Sequence, residues 1–115
     1  MHATNSQTEV IQEITRRLVE YFHPERVYLF GSSARGEDGP DSDLDFCIVL
    51  PQNAPESAFR DRTFHRQLSD LHTAVDIVRL PSEDFDLRAE HVLASLPATV
   101  VREGRLLYDT RHVAA

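Results

Sequence analysis

Apolar residues return every three or four positions along Val10, Ile11, Ile14, Leu18, Tyr21 and Phe22, the spacing of one face of an α-helix. Ser6 and Glu9 have the Ser-x-x-Glu spacing of a capping box, and His23-Pro24 closes the run, so a first helix is expected between them. The pattern then changes period. Residues 26–30 and 43–50 are short runs rich in β-branched and aromatic side chains, which predicts two strands. Between them, residues 33–35 predict a short helical turn and residues 37–41 a polar loop. Pro51 to Pro55 breaks the chain again. From residue 56 to 72, Ala58, Phe59, Phe64, Leu68 and Leu71 predict one amphipathic helix with an arginine-rich outer face, and residues 74–78 predict a third strand. A turn and short helix are expected over residues 82–95, with Leu87, Val92, Leu93 and Leu96 as the apolar side and Pro97 as terminator. Residues 99–108 read as two short strands around Glu103-Gly104. Strands and helices alternate without internal repeats, so the expected class is α/β (α+β), one mixed β-sheet flanked by helices.

At 115 residues the chain is sized for a single domain, 1–115, with a real core and no room for a second domain. No apolar stretch approaches the roughly 18 residues that a membrane helix needs, so no membrane association is expected. Residues 1–7 have neither a basic nor an apolar signal region. Cys47 is the only cysteine, which excludes an internal disulfide and suits a reducing, cytoplasmic setting. A net charge of −7 argues against direct nucleic-acid binding, which is driven by cations that neutralise phosphate. All the basic residues are arginine and none is lysine. That removes a Walker-type phosphate loop, a Schiff base and a lysine nucleophile; phosphate would have to be held by backbone, hydroxyl, arginine and metal.

The chemistry-bearing segment is Gly31-Ser32, ten residues, then Asp43-Leu44-Asp45. Side chains two apart on a strand share a face, so Asp43 and Asp45 project together and suit a hard divalent cation such as magnesium. The plainer reading is a solvated strand start, since aspartate is common near turns. Asp76, between Val75 and Ile77, adds a third carboxylate inside a predicted strand, where charge is costly unless paired; the alternative is an edge-strand aspartate facing water. Glu83, Asp84 and Asp86 are read as surface. Gly31 lets a phosphate approach the backbone, and Ser32 offers a hydroxyl at the start of a short helix, or simply caps it. Arg35 either reaches a triphosphate or pairs with Glu37 or Asp38, and Ser42 orients the Asp-bearing strand. None of the six histidines shows zinc-like spacing. Cys47 shares a face with Asp45 but reads as a small apolar residue. Tyr108 and Phe30 are expected in the core.

Gly31-Ser32-Ser33-Ala34-Arg35-Gly36, Ser42-Asp43-Leu44-Asp45, Asp76 and the closing Glu103-Gly104-Arg105-Leu106-Leu107-Tyr108 resemble the nucleotidyltransferase superfamily that includes DNA polymerase beta, and most closely its minimal nucleotidyltransferase branch. The resemblance covers nearly the whole chain and implies the nucleotidyltransferase fold. It also implies that Asp43, Asp45 and Asp76 hold two Mg2+ ions and that Asp76 helps deprotonate an acceptor hydroxyl. Gly31 and Ser32 would hold the phosphates of ATP, with Arg35 and Ser42 as further candidates. Larger relatives carry an acceptor domain that this chain has no room for. Members of the minimal branch act as antitoxins that transfer AMP to a tyrosine of a HEPN-type ribonuclease toxin, and that is the expected function and partner. Two alternatives stay open: a non-catalytic antitoxin that masks its partner, and a small-molecule (antibiotic) nucleotidyltransferase whose acceptor site is made by a homodimer.

Overall fold

The computed structural model describes residues 7–31 and 43–110. Helix α1 (Gln7–Phe22) leads into β1 (Arg26–Phe30), and the chain returns as β2 (Leu44–Leu50). Helix α2 (Glu56–Arg60), a 3-10 helix (Phe64–Leu71), β3 (Val75–Pro81), helices α3 (Ser82–His91) and α4 (Leu96–Glu103), and β4 (Arg105–Asp109) follow. The sheet order is β3-β2-β1-β4; β1 runs antiparallel to β2 and β4, and β2 parallel to β3. The expected mixed sheet flanked by helices is what forms. None of the described helices is long and apolar enough to cross a membrane.

Strand alternation divides the core between the two faces of the sheet. On one, Val27, Leu29, Leu44, Phe46, Ile48 and Leu50 pack with Ile11, Ile14, Leu18 and Phe22 of α1 and with Phe64 and Leu68 of the 3-10 helix. On the other, Tyr28, Cys47 and Val49 pack with Phe85 of α3 and Val100 of α4. Phe46 to Leu50 is buried on both sides, as a strand in the middle of a covered sheet must be. Asp45 is the one charged residue of β2. Phe30 and Tyr108 are only partly buried, each packed against the core.

Five expectations change. The helix expected over residues 56–72 is broken at 61–63. The Asp61 carboxylate accepts hydrogen bonds from the backbone N–H (2.7 Å) and hydroxyl (2.7 Å) of Thr63 and from the Tyr21 hydroxyl, giving the backbone a local alternative to the helix. The third strand runs on to Pro81. In the segment after it, Phe85 is the buried anchor, whereas Leu87, Val92, Leu93 and Leu96 are exposed. Pro97 stands in the first turn of α4 rather than ending a helix: Ser95 caps that helix by accepting from the Ala98 N–H, and proline is tolerated in a first turn, where its missing donor has no partner. The tail is therefore one helix and one strand. Gly104 joins them where a Cβ would stand 2.5 Å from the Val100 carbonyl oxygen and 2.9 Å from that of Leu29. The capping residue Ser6 and the turn at 33–35 lie outside the described residues.

Helix α1 is tied to the 3-10 helix by charge. Glu13 accepts from Arg16 (2.5 Å) and Arg17 (2.7 Å), and Arg17 reaches Asp70 (2.8 Å). The hydrogen bonds from Arg16 and Arg17 hold the Glu13 carboxyl down at about 2. Its contribution is present above the ordinary carboxylate range and is lost as pH falls from there toward 2. Thermal melts across that window should show a Glu13→Gln variant losing less stability on acidification than the wild type; parallel pH profiles would refute the assignment.

Candidate active site

β1 ends at Phe30, which lies opposite Asp45 of β2, and Asp45 lies level with Asp76 of β3. Three adjacent strands thus bring one backbone turn and two carboxyl groups to one end of the sheet. Gly31 follows Phe30 with φ +80°, a left-handed conformation that favours glycine. A Cβ there would stand 2.5 Å from Asp45 Oδ2. The backbone at Gly31 and the Asp45 carboxyl are therefore in direct apposition, and the missing side chain makes room for it.

Asp45 and Asp76 point to the same side of the sheet as Cys47, Val49 and Val78, the side covered by α3 and α4. Asp45 is half-buried, and Asp76 and Asp43 are exposed. The Asp45 carboxyl is pushed above its ordinary value, first by burial, then by the charges of Asp76 and Asp43 and by a hydrogen bond with Asp76. Two carboxyl groups in hydrogen-bond contact hold either a shared proton or a cation between them, because two bare anions in that position repel. Asp76 is on an edge strand and exposed, as its water-facing alternative supposed, yet its immediate neighbour is Asp45.

Among the described residues no three ligating side chains form a ready-made metal cluster. What the fold assembles is the Asp45–Asp76 contact, with Asp43 close enough to raise Asp45 further. This all-oxygen, mutually repelling donor set fits a hard divalent cation, which neutralises the repulsion and keeps open positions for substrate oxygens. Ser32, Arg35 and Ser42 lie outside the described residues. Cys47 is fully buried and its thiol is pushed up to about 12, chiefly by burial, which suits an inert core residue.

Sequence reasoning missed one polar pair at the other end of β1 from the site. Arg26 is buried, donates to Asp86 of α3 at 2.8 Å and lies 5.2 Å from the centre of the Phe85 ring. Asp86, read as plain surface, thereby clamps α3 onto β1. The only sequence signal was an arginine opening an otherwise apolar strand.

A family model described as a nucleotidyltransferase domain matches residues 11–104. No curated protein matches the chain. Among solved structures, a toxin–antitoxin complex with AMP-PNP has a chain 23% identical to this one, with a TM-score of 0.59, covering 87% of this chain and 73% of that one. A complex of the tri-AMPylated HEPN toxin of Shewanella oneidensis with MNT antitoxin is similar at 22% identity and a TM-score of 0.57, over 92% and 75% of the two chains. The toxin–antitoxin structure MntA-HepT follows at 21% identity and 0.55, over 92% and 74%. At these identities the likeness is one of fold.

Proposed function

Because this chain belongs to the nucleotidyltransferase domain family, whose model spans most of its length, we propose that it transfers AMP from ATP to a tyrosine hydroxyl of a HEPN-type toxin and thereby acts as its antitoxin. The observation that carries this reading is the meeting of Gly31, Asp45 and Asp76 at one end of the sheet. The neighbouring structures, one with AMP-PNP and one with a tri-AMPylated toxin, supply the nucleotide and the kind of acceptor.

In this reaction the acceptor oxygen bonds to the α-phosphorus of ATP while the bond from that phosphorus to the bridging oxygen breaks, and pyrophosphate leaves with those electrons. Asp43, Asp45 and Asp76 would hold Mg2+, which when bound lowers the pKa of the acceptor hydroxyl and steadies the leaving oxygens. Asp76, exposed on the edge strand, faces the side from which an acceptor must arrive, and it takes up the hydroxyl proton. Asp45, seated deeper between β1 and β3, fixes the position of the charge that the site can neutralise. Gly31 presents bare backbone, so phosphate oxygens can approach where a side chain would block them. Ser32, Arg35 and Ser42 complete the proposed phosphate contacts.

The test is co-expression of the chain with the HEPN protein encoded beside it, followed by intact-mass measurement of that partner. A gain of one or more AMP units, absent with Asp43→Asn/Asp45→Asn, is the expected result. A partner that is neutralised but unmodified, equally well by the wild type and by the double variant, would replace this reading with simple masking.

A further inference from the structure

β3 is an edge strand, and among the described residues positions 75–80 make no backbone hydrogen bond outside their ladder with β2. Alongside it runs a groove of about 570 Å3 lined by Phe59, Arg60, Arg62, His65, Ile77 and Arg79. His65 also borders a second hollow that continues past His72 to Asp76. A cluster of three arginines therefore lies along the open edge, on the face of β3 opposite the Asp76 carboxyl, on a chain whose net charge is −7.

The charges facing the groove are unequally matched. Arg60 is held by Glu56 at 3.1 Å. Asp61 is occupied by Tyr21 and Thr63, and its charge offsets part of that on Arg79. Arg79 itself is half-buried, lies 4.9 Å from the centre of the Phe22 ring and donates at 3.5 Å to the Ala58 carbonyl. Burial and the nearby Arg62 both make its charge costlier. Neither Arg62 nor Arg79 has a carboxylate at ion-pair distance among the described residues. A cation half-removed from water, with its nearest counter-charge only partly compensating it, gains from an anion that reaches it.

We propose that this edge docks an extended acidic segment of the partner protein, which pairs with β3 as an added strand, sets its carboxylates against Arg62 and Arg79 on one face, and carries its acceptor hydroxyl on the other face, the side of Asp76. The inference rests on the nucleotidyl-transfer reading and gives that reading's acceptor a chemistry. A peptide suits the edge better than a nucleic acid does. Unpaired strand N–H and C=O groups are matched by a peptide backbone, and the chain's negative field repels a long polyanion while a short acidic segment is captured locally.

The full-length chain, without nucleotide, would be titrated at about 50 mM salt with a fluorescein-labelled peptide of alternating glutamate and serine around one tyrosine. Its glutamine counterpart and an oligo-uridine serve as comparisons. The acidic peptide should bind at least about tenfold more tightly than the glutamine peptide. Arg62→Glu, an exposed change, should weaken it about tenfold and Arg62→Ala by less, with Arg88→Glu on α3 neutral. Hydrogen exchange of residues 75–80 should slow when the peptide binds. Equal binding of the glutamine peptide, insensitivity to both Arg62 variants, unchanged exchange along β3, or oligo-uridine binding that Arg62→Glu abolishes would each overturn the proposal. With no ATP present, those failures leave AMP transfer untouched. Conversely, a partner that docks in this way yet never gains AMP would sink the catalytic reading alone.

Discussion

Asp45→Asn should abolish AMP transfer, lowering kcat/KM at least about a thousandfold, the equivalent of roughly 4 kcal/mol, while the protein remains folded and melts at a higher temperature than the wild type in metal-free buffer at neutral pH. The two effects have one cause. Burial and the charges of Asp76 and Asp43 push the Asp45 carboxyl above its ordinary value, so the folded chain holds that proton more tightly than the unfolded chain does. Stability is then lost as pH rises from the ordinary carboxylate range through the raised folded value, and asparagine removes that penalty. The repulsion that weakens the fold is also what a divalent cation relieves. Added Mg2+ should therefore raise the melting temperature of the wild type and raise that of Asp45→Asn less. Calorimetry with and without Mg2+, alongside single-turnover transfer, checks both halves. A variant that melts lower than the wild type in metal-free buffer, or one that still transfers AMP, would contradict the electrostatic account of the site.

The parts of the molecule that could be read in its sequence are those decided within a few residues. The run Arg26 to Phe30 folds as the expected strand because β-branched and aromatic side chains suit a covered sheet, and α1 follows from the spacing of Ile11, Ile14 and Leu18, all buried. Asp45 was legible as a candidate because Asp43-x-Asp45 sets two carboxylates on one face at the start of an apolar strand. What alternation could not supply was the neighbour: only the parallel register of β2 with β3 sets Asp45 level with Asp76. Local hydrogen bonding misled twice. Asp61 diverts its own backbone out of a helix that the apolar spacing supports, and Pro97, a breaker in mid-helix, serves as a starter once Ser95 caps the turn. Leu87, Val92, Leu93 and Leu96 have core-like composition but stay exposed, while Phe85 and Ala89 are the α3 residues that pack against the sheet. The Arg26–Asp86 pair spans distant segments, and no local pattern announces it.

Gly31→Ala should cost about 1–2 kcal/mol of stability from the left-handed backbone alone and should lower AMP transfer by about a hundredfold per folded molecule. The conformational term arises at φ +80°, where a Cβ meets the following carbonyl. The larger loss is one of position, since the new methyl would stand 2.5 Å from Asp45 Oδ2, inside any permitted contact. Either the turn retreats from the sheet or the Asp45 carboxyl swings away from Asp76, and both displace the group around which the site is built. Gly104→Ala separates the two effects. Its Cβ would press on the carbonyl oxygens of Val100 and Leu29 and not on Asp45, loosening α4 against β1. That variant should lose stability yet transfer AMP at the wild-type rate once the folded fraction is counted. If Gly31→Ala matched Gly104→Ala in rate per folded molecule, the apposition of Gly31 and Asp45 would be a packing feature only. A rate loss confined to Gly31→Ala would place the Gly-Ser turn and the Asp-x-Asp strand in one working site, in which the glycine's missing side chain is as necessary as the carboxylate beside it.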